Sequence, residues 1–170
     1  MPESQLPPHI HLFVERLAGL DPGKRAQLRR NAGRTLAEAR DALGLFFRLL
    51  PAGVSDIDLD SYFLLATLYP LTDAGGHGTL GRALARARSS ANAHGLDRRV
   101  EILLDADRAQ LPFRLRQAVR FLRSNRVSVD WGQLLTDLLH WNAPSRSVQQ
   151  AWARDYFTPP SPASQGEKGE

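Results

Sequence analysis

Between Arg108 and Arg126 the chain holds six arginines and no acidic residue, on a stretch whose apolar residues recur at helical spacing. Leu111, Leu115, Ala118, Val119 and Leu122 fall on one core-facing stripe. Arg116, Arg120 and Arg123 sit at i, i+4 and i+7, which gathers them on another face. The segment therefore predicts a helix with one buried side and one cationic side. Its apolar side needs a core to cover it. Its arginine face has no internal carboxylate to neutralise it, and phosphate is the commonest external polyanion that would.

The rest of the chain also reads as helix, and no run alternates apolar and polar residues as a strand would. The expected fold is all-α, a compact helical bundle. A first helix spans about His9 to Ala18. Asp21 then supplies an N-cap and Pro22 fits the first helical position of a long amphipathic stretch. Its stripe is Leu28, Ala32, Leu36, Ala39, Leu43, Phe46 and Leu50, with Gly33 and Gly44 as places where it kinks or splits. Pro51 to Ser55 reads as a loop, and Asp58 or Asp60 caps a helix running toward Tyr69. The Gly-rich break from Pro70 to Gly78 is where two small lobes would divide. Further helices are expected at Thr79–His94 and Asp97–Ala106. Pro112 opens the arginine-striped helix, Asp130 caps Trp131–Trp141, and Ser145 caps a last helix through Phe157. The domain expectation is 1–157 as one helical unit and 158–170, rich in Pro, Ser and Gly, as a disordered tail.

Composition excludes several classes. There is no cysteine, so disulfide frameworks and thiolate zinc sites are ruled out. No apolar run approaches about 18 residues, and no leader pattern opens the chain, so a soluble cytoplasmic protein without membrane contact is expected. The formal charge is +4. Twenty of the 22 basic residues are arginine, whose planar fork suits bidentate phosphate contacts. A coding bias would explain that ratio, but not the clustering.

A second acid-free basic segment runs from Lys24 to Arg34, KRAQLRRNAGR, with Arg30 and Arg34 one turn apart and away from the Leu28/Leu36 stripe. A single such run is usually a solvated helical face; two in one small helical chain favour nucleic acid. Phe113 lies near the cationic face, where it would stack on a base, although an aromatic at such a place is more often core, and core is the expectation. Trp131, Trp141, Trp152, Tyr156 and Phe157 are likewise expected in the core.

Other signals are weak. Gly76, Gly78 and Gly81 match G-x-G-x-x-G, but a helix and Pro70 precede them where a dinucleotide fingerprint needs a strand; a loop before a helix is the better reading. Asp56, Asp58 and Asp60 resemble the opening of a calcium loop, yet Ser61 stands where Gly is required and Thr67 where Glu is. The five histidines show no paired ligand spacing, so no metal site and no cofactor are expected. Asp105 and Asp107 lack a third carboxylate for Mg²⁺, and no nucleophile motif or phosphate loop is present. An enzyme is not the expectation.

The C-terminal half narrows the reading. TLGRAL (79–84), LDRRV (96–100), VDWGQLLTDLLHW (129–141) and VQQAWARDYF (148–157) follow one another in order. As an ordered set they resemble the CasB family, the small subunit of the type I-E CRISPR surveillance complex Cascade. The resemblance implies an all-helical, non-catalytic protein, present as a pair of copies beside other Cascade subunits. It would steady guide RNA, target DNA and displaced strand without sequence preference. It also implies that Lys24, Arg25, Arg29, Arg30 and Arg34 form one part of the binding surface, and Arg116, Arg120, Arg123 and Arg126 another. The rival readings are a stand-alone helical DNA-binding regulator and a Mg²⁺-dependent nuclease.

Overall fold

A helix that is apolar on every side has to be surrounded, and the stretch from Leu59 to Leu68 is such a helix: every residue from Ser61 to Leu68 is buried. In the computed structural model, which describes residues 6–159, this is α4 of nine α-helices, and no strand occurs among the described residues. The others are α1 (Pro8–Ala18), α2 (Pro22–Arg29), α3 (Leu43–Leu49), α5 (Leu80–Ala87), α6 (Ala93–Leu104), α7 (Leu111–Ser124), α8 (Trp131–Leu139) and α9 (Ser147–Phe157). α2, α7 and α8 pack directly on α4, α1 lies against α3 and α8, and α9 packs on α5 and α6, which both pack on α7. One apolar cluster runs from Ile10 on α1 to Tyr156 on α9. The fold is the expected all-α bundle. The tail expected from Thr158 lies outside the described residues beyond Pro159.

The long amphipathic stretch expected from Pro22 to Leu50 is not one helix. α2 begins as expected, with the Asp21 carboxylate accepting from the Lys24 amide at 2.9 Å and Pro22 at the first position, but it ends at Arg29. The buried Asn31 side chain donates to the carbonyls of Gln27 at 3.1 Å and Arg40 at 2.8 Å and accepts from the Arg40 amide at 2.7 Å. An asparagine that satisfies backbone groups in this way offers the chain an alternative to the helical ladder. Gly33 then takes φ +83° and Asp41 φ +55°, and Thr35 and Glu38 form a capping box around one short 3₁₀ turn. The expected apolar stripe holds at Leu28, Ala32 and Phe46, which are buried, and fails at Leu43. Leu43 is 47% exposed, while Ala42, Leu45 and Leu49 face the core. Asn92 ends α5 by the same device: its side chain donates to the Ala87 carbonyl and accepts from the Ser89 amide, so the helix expected to run to His94 stops at Ala87.

Gly76 and Gly81 serve close packing. A Cβ at Gly81 would lie 2.3 Å from the Trp152 carbonyl oxygen, where α5 crosses α9, and one at Gly76 would lie 2.5 Å from the Ser128 carbonyl oxygen. Gly78 has φ +96° and donates its amide to the Asp130 carboxylate at 3.1 Å, the same side chain that caps α8 through the Gln133 amide at 3.0 Å. A carboxylate of the chain itself lies at the start of α5: Thr79 caps that helix and donates its hydroxyl to Asp155 at 2.6 Å.

Trp131, Trp141, Trp152 and Tyr156 are buried as expected, whereas Phe157 is 45% exposed, packed edge-on against Tyr156 at the chain's way out of the bundle. The indole N–H of Trp152 donates to Asp137 at 2.8 Å. Burial raises the Asp137 pKa, and the hydrogen bonds from Trp152 and Gln133 pull against it.

Asp97 ties three helices together. It accepts two hydrogen bonds from Arg88 at 2.9 and 3.1 Å and one from the Tyr156 hydroxyl. Those bonds, Arg88 first, hold its pKa at about 2 against an ordinary 3.8. A depressed carboxylate pKa contributes stability that is present above the unfolded value and lost as pH falls through the folded one. Asp97→Asn is therefore expected to flatten the loss of stability between about pH 4 and pH 2. Denaturant titrations of both proteins across that window, showing equally steep decline, would remove this assignment.

Candidate nucleic-acid interface

The arginine-striped helix is α7, and its apolar face is the expected one. Leu111, Leu115, Val119 and Leu122 are buried, and Pro112 lies in the first turn. The two basic segments, far apart in sequence, become neighbours because α2 and α7 flank α4 and the turn that follows it. Gly33 lies directly under Arg116: a Cβ there would be 2.8 Å from the Arg116 Cδ. The Arg116 stem thus crosses the turn that ends α2, and its Nε is buried without a partner among the described residues.

A groove of about 200 Å³ forms two turns further along, at the end of α7. Arg25, Arg123 and Arg126 line it around Tyr69, with the hydroxyls of Thr72 and Ser128 at its edge and Asp73 as its one carboxylate. Arg25 is held in place there. It donates to the carbonyls of Leu20 at 3.1 Å and Ala18 at 3.0 Å, closing the C-terminal end of α1, and its guanidinium lies 5.8 Å from the Tyr69 ring centroid. That contact adds to the burial of Tyr69, itself stacked on Trp131; burial raises the Tyr69 pKa and the Arg25 charge opposes the rise.

The remaining residues divide clearly. Lys24 is exposed and paired with Asp21 at 3.7 Å. Arg29 and Arg30 stand exposed where α2 ends, and Arg34 is exposed in the following turn, so Arg30 and Arg34 are not one helical turn apart as expected. The Glu38 carboxylate near Arg34 is bound by the Thr35 hydroxyl and amide, which lower its pKa, with the Arg34 charge adding to the effect. Arg120 and Arg123 are exposed on α7. Among the described residues, none of Arg29, Arg30, Arg34, Arg116, Arg120, Arg123 and Arg126 forms an ion pair. Phe113 is not core: it lies seven residues before Arg120, shares its outward face, and is 51% exposed.

Tyr69, Asn31 and Gly33 are the residues that sequence reasoning missed as parts of this surface. The Asn31-x-Gly33 pair is turn chemistry, overridden in the reading by the apolar period that runs through it. Tyr69 carries no such signal, since it belongs to the apolar run of α4.

Arg126 has an unusual place. The amide of Val127 bonds the Leu122 carbonyl at 3.0 Å and that of Arg126 bonds the Arg123 carbonyl at 3.0 Å, which is the Schellman pattern closing α7. Arg126 occupies its left-handed position at φ +56°, where glycine is usual. Arg126→Gly is expected to raise folding stability by up to about 1 kcal/mol while removing a cation from the groove. Thermal denaturation of the variant checks this, and a loss of stability would mean that the Arg126 side chain supports the fold.

Comparison with known proteins places this geometry. The family model described as CRISPR-associated protein Cse2 matches residues 24–157. A CRISPR-associated protein Cse2 from Thermus thermophilus is 42% identical over 100 residues, 58% of this chain and 56% of that relative, so the chain spans just over half of its curated relative in sequence. The crystal structure of a Cse2-family protein from Thermus thermophilus superposes with a TM-score of 0.77 at 32% identity, covering 90% of this chain and 99% of that one. A chain in the crystal structure of Escherichia coli Cascade bound to a PAM-containing double-stranded DNA target shares the fold, with a TM-score of 0.66 at 23% identity over 92% of this chain and 100% of that one. The ordered motifs, the helical bundle and the family match over 24–157 agree: this chain belongs to the Cse2 family, also called CasB.

Proposed function

We propose that this chain is the non-catalytic small subunit of a type I-E CRISPR Cascade complex. In this reading it holds sugar-phosphate backbone without sequence preference and steadies guide RNA, target DNA and the displaced strand in antiviral defence. Its partners are those strands, other Cascade subunits and a second copy of itself.

The observation that carries the reading is the meeting of two acid-free basic segments along α7, with Arg116 seated over Gly33 and Arg25 facing Arg123 and Arg126. Membership of the Cse2 family, and a chain of this fold within Cascade, support it. The chemistry is consistent. Base pairing reads sequence in RNA-guided recognition, so a supporting protein need only track charged backbone and tip a nearly balanced strand exchange. The carboxylates that a nuclease would use have other work: Asp105 pairs with Arg146 at 3.7 Å, and Asp107 accepts from the Gln110 amide at 2.9 Å at the start of α7.

An anisotropy titration against unrelated single-stranded and duplex DNAs across a salt series tests the reading. If roughly six phosphates are neutralised, affinity falls about a thousandfold from low to moderate salt. Reversing charge at Arg116, Arg120 and Arg123 leaves the helical circular dichroism signal intact and weakens all sequences alike. Unchanged binding by that variant, or a strong sequence preference in the parent, overturns the proposal.

Gly33 supplies an independent check. Gly33→Ala places a methyl where the Arg116 Cδ now lies and strains a left-handed backbone. It is expected to weaken binding in the parent and to add nothing in an Arg116→Ala background, the non-additivity of groups that touch. Equal losses in both backgrounds would separate Gly33 from Arg116.

A further inference from the structure

The opposite flank of α7 has a different chemistry. Arg114, Ala118 and Phe121, at i, i+4 and i+7, line a cleft against α6 in which Val100 contributes to the floor and Arg99 to the rim. Ile102, 37% exposed, forms its apolar edge. The two rim arginines rest on aromatic faces: Arg99 lies 6.0 Å from the Phe121 ring centroid and Arg114 lies 5.4 Å from that of Phe113. Stacking of this kind fixes a guanidinium while leaving its N–H edge available. Among the described residues neither arginine forms an ion pair.

Charge around the cleft is one-sided. α7 and α5 carry no carboxylate, and on α6 the Asp97 carboxylate is taken by Arg88 and Tyr156, which leaves the exposed Glu101, outside the cleft lining. The space over the floor is about 40 Å³, room for the end of one aliphatic side chain. A bare phosphate would meet the rim arginines and leave the apolar floor uncovered. An occupant that suits the cleft brings one large apolar side chain for the floor and carboxylates for the rim.

We infer that the α6/α7 cleft docks an acidic, amphipathic segment of a protein partner, its apolar side chain entering over Val100 and Phe121 and its carboxylates meeting Arg99 and Arg114. The inference does not rest on the nucleic-acid reading, whose residues Arg116, Arg120 and Arg123 lie on the other flank of α7.

The test uses the full chain and a short synthetic helical peptide with leucine along one face and glutamate elsewhere, beside its lysine counterpart, by anisotropy at low salt. The glutamate peptide is expected to bind saturably and the lysine peptide not to bind. Arg99→Glu with Arg114→Glu should weaken the glutamate peptide at least about tenfold, the size typical of close charge pairs. Ala118→Leu, which fills the cleft without altering charge, should weaken it as well. Ala118→Leu should keep the parent's affinity for single-stranded DNA. No binding by the glutamate peptide, equal binding by the lysine peptide, indifference to both variants, or displacement of the peptide by oligo(dT) would each overturn the inference, the last by assigning the cleft to nucleic acid.

Discussion

Burial of α4 on every side is the constraint from which the rest follows. A helix with Ser61 to Leu68 all inside cannot lie at a surface, so the remaining helices each give it or its neighbours an apolar face and turn a polar face outward. α2 and α7 both reach α4, and that is why segments some ninety residues apart come side by side. The cationic surface is thus a by-product of core geometry, with rigid helices as its support. In the proposed role that rigidity matters, because charge placed on mobile loops would lose ordering entropy at every contact.

Arginine in this chain falls into two populations. One is engaged: Arg88 with Asp97, Arg82 with Asp155, Arg146 with Asp105, Arg16 with the Leu49 carbonyl, Arg108 with the Ser61 hydroxyl. The other forms no ion pair among the described residues: it includes Arg99 and Arg114 at the α6/α7 cleft, and Arg29, Arg30, Arg34, Arg116, Arg120, Arg123 and Arg126 in the segments that meet where α2, its following turn and α7 come together. A coding bias toward arginine acts on both populations equally and cannot sort them in space. Like charges held within a screening length of about 8 Å at physiological salt repel one another. An unneutralised cluster is therefore a standing cost that an external anion would remove.

The fold class and the ends of most helices were legible because apolar period, N-caps and turn residues agreed with one another. Asp21, Thr79 and Asp130 cap α2, α5 and α8 through their side chains. Two misread helix ends share one physical origin. Asn31 and Asn92 each use a side-chain amide to satisfy backbone groups, and that competition is invisible to a periodicity argument when the surrounding residues still repeat at helical spacing. The candidate surface was legible as charge but not as shape. Nothing in the sequence says that Gly33 lies beneath Arg116, that Tyr69 forms the wall behind Arg25, or that Phe113 faces outward.

Backbone strain separates structural from functional placement at one point. Among the described residues three non-glycine residues have left-handed backbone: Asp41, Arg126 and Arg146. Such a conformation costs of order 1 kcal/mol and persists where something else requires it. At Asp41 the carbonyl receives the Gln27 side chain, and at Arg146 the guanidinium reaches the Leu104 carbonyl at 2.6 Å, so both are held by tertiary bonds. Arg126 has no such side-chain bond among the described residues, and glycine would close the same Schellman turn at lower cost. What arginine adds there is a guanidinium at the groove already lined by Arg25 and Arg123. No contact among the described residues offsets the strain at Arg126, and in the proposed role the strand held in that groove offsets it.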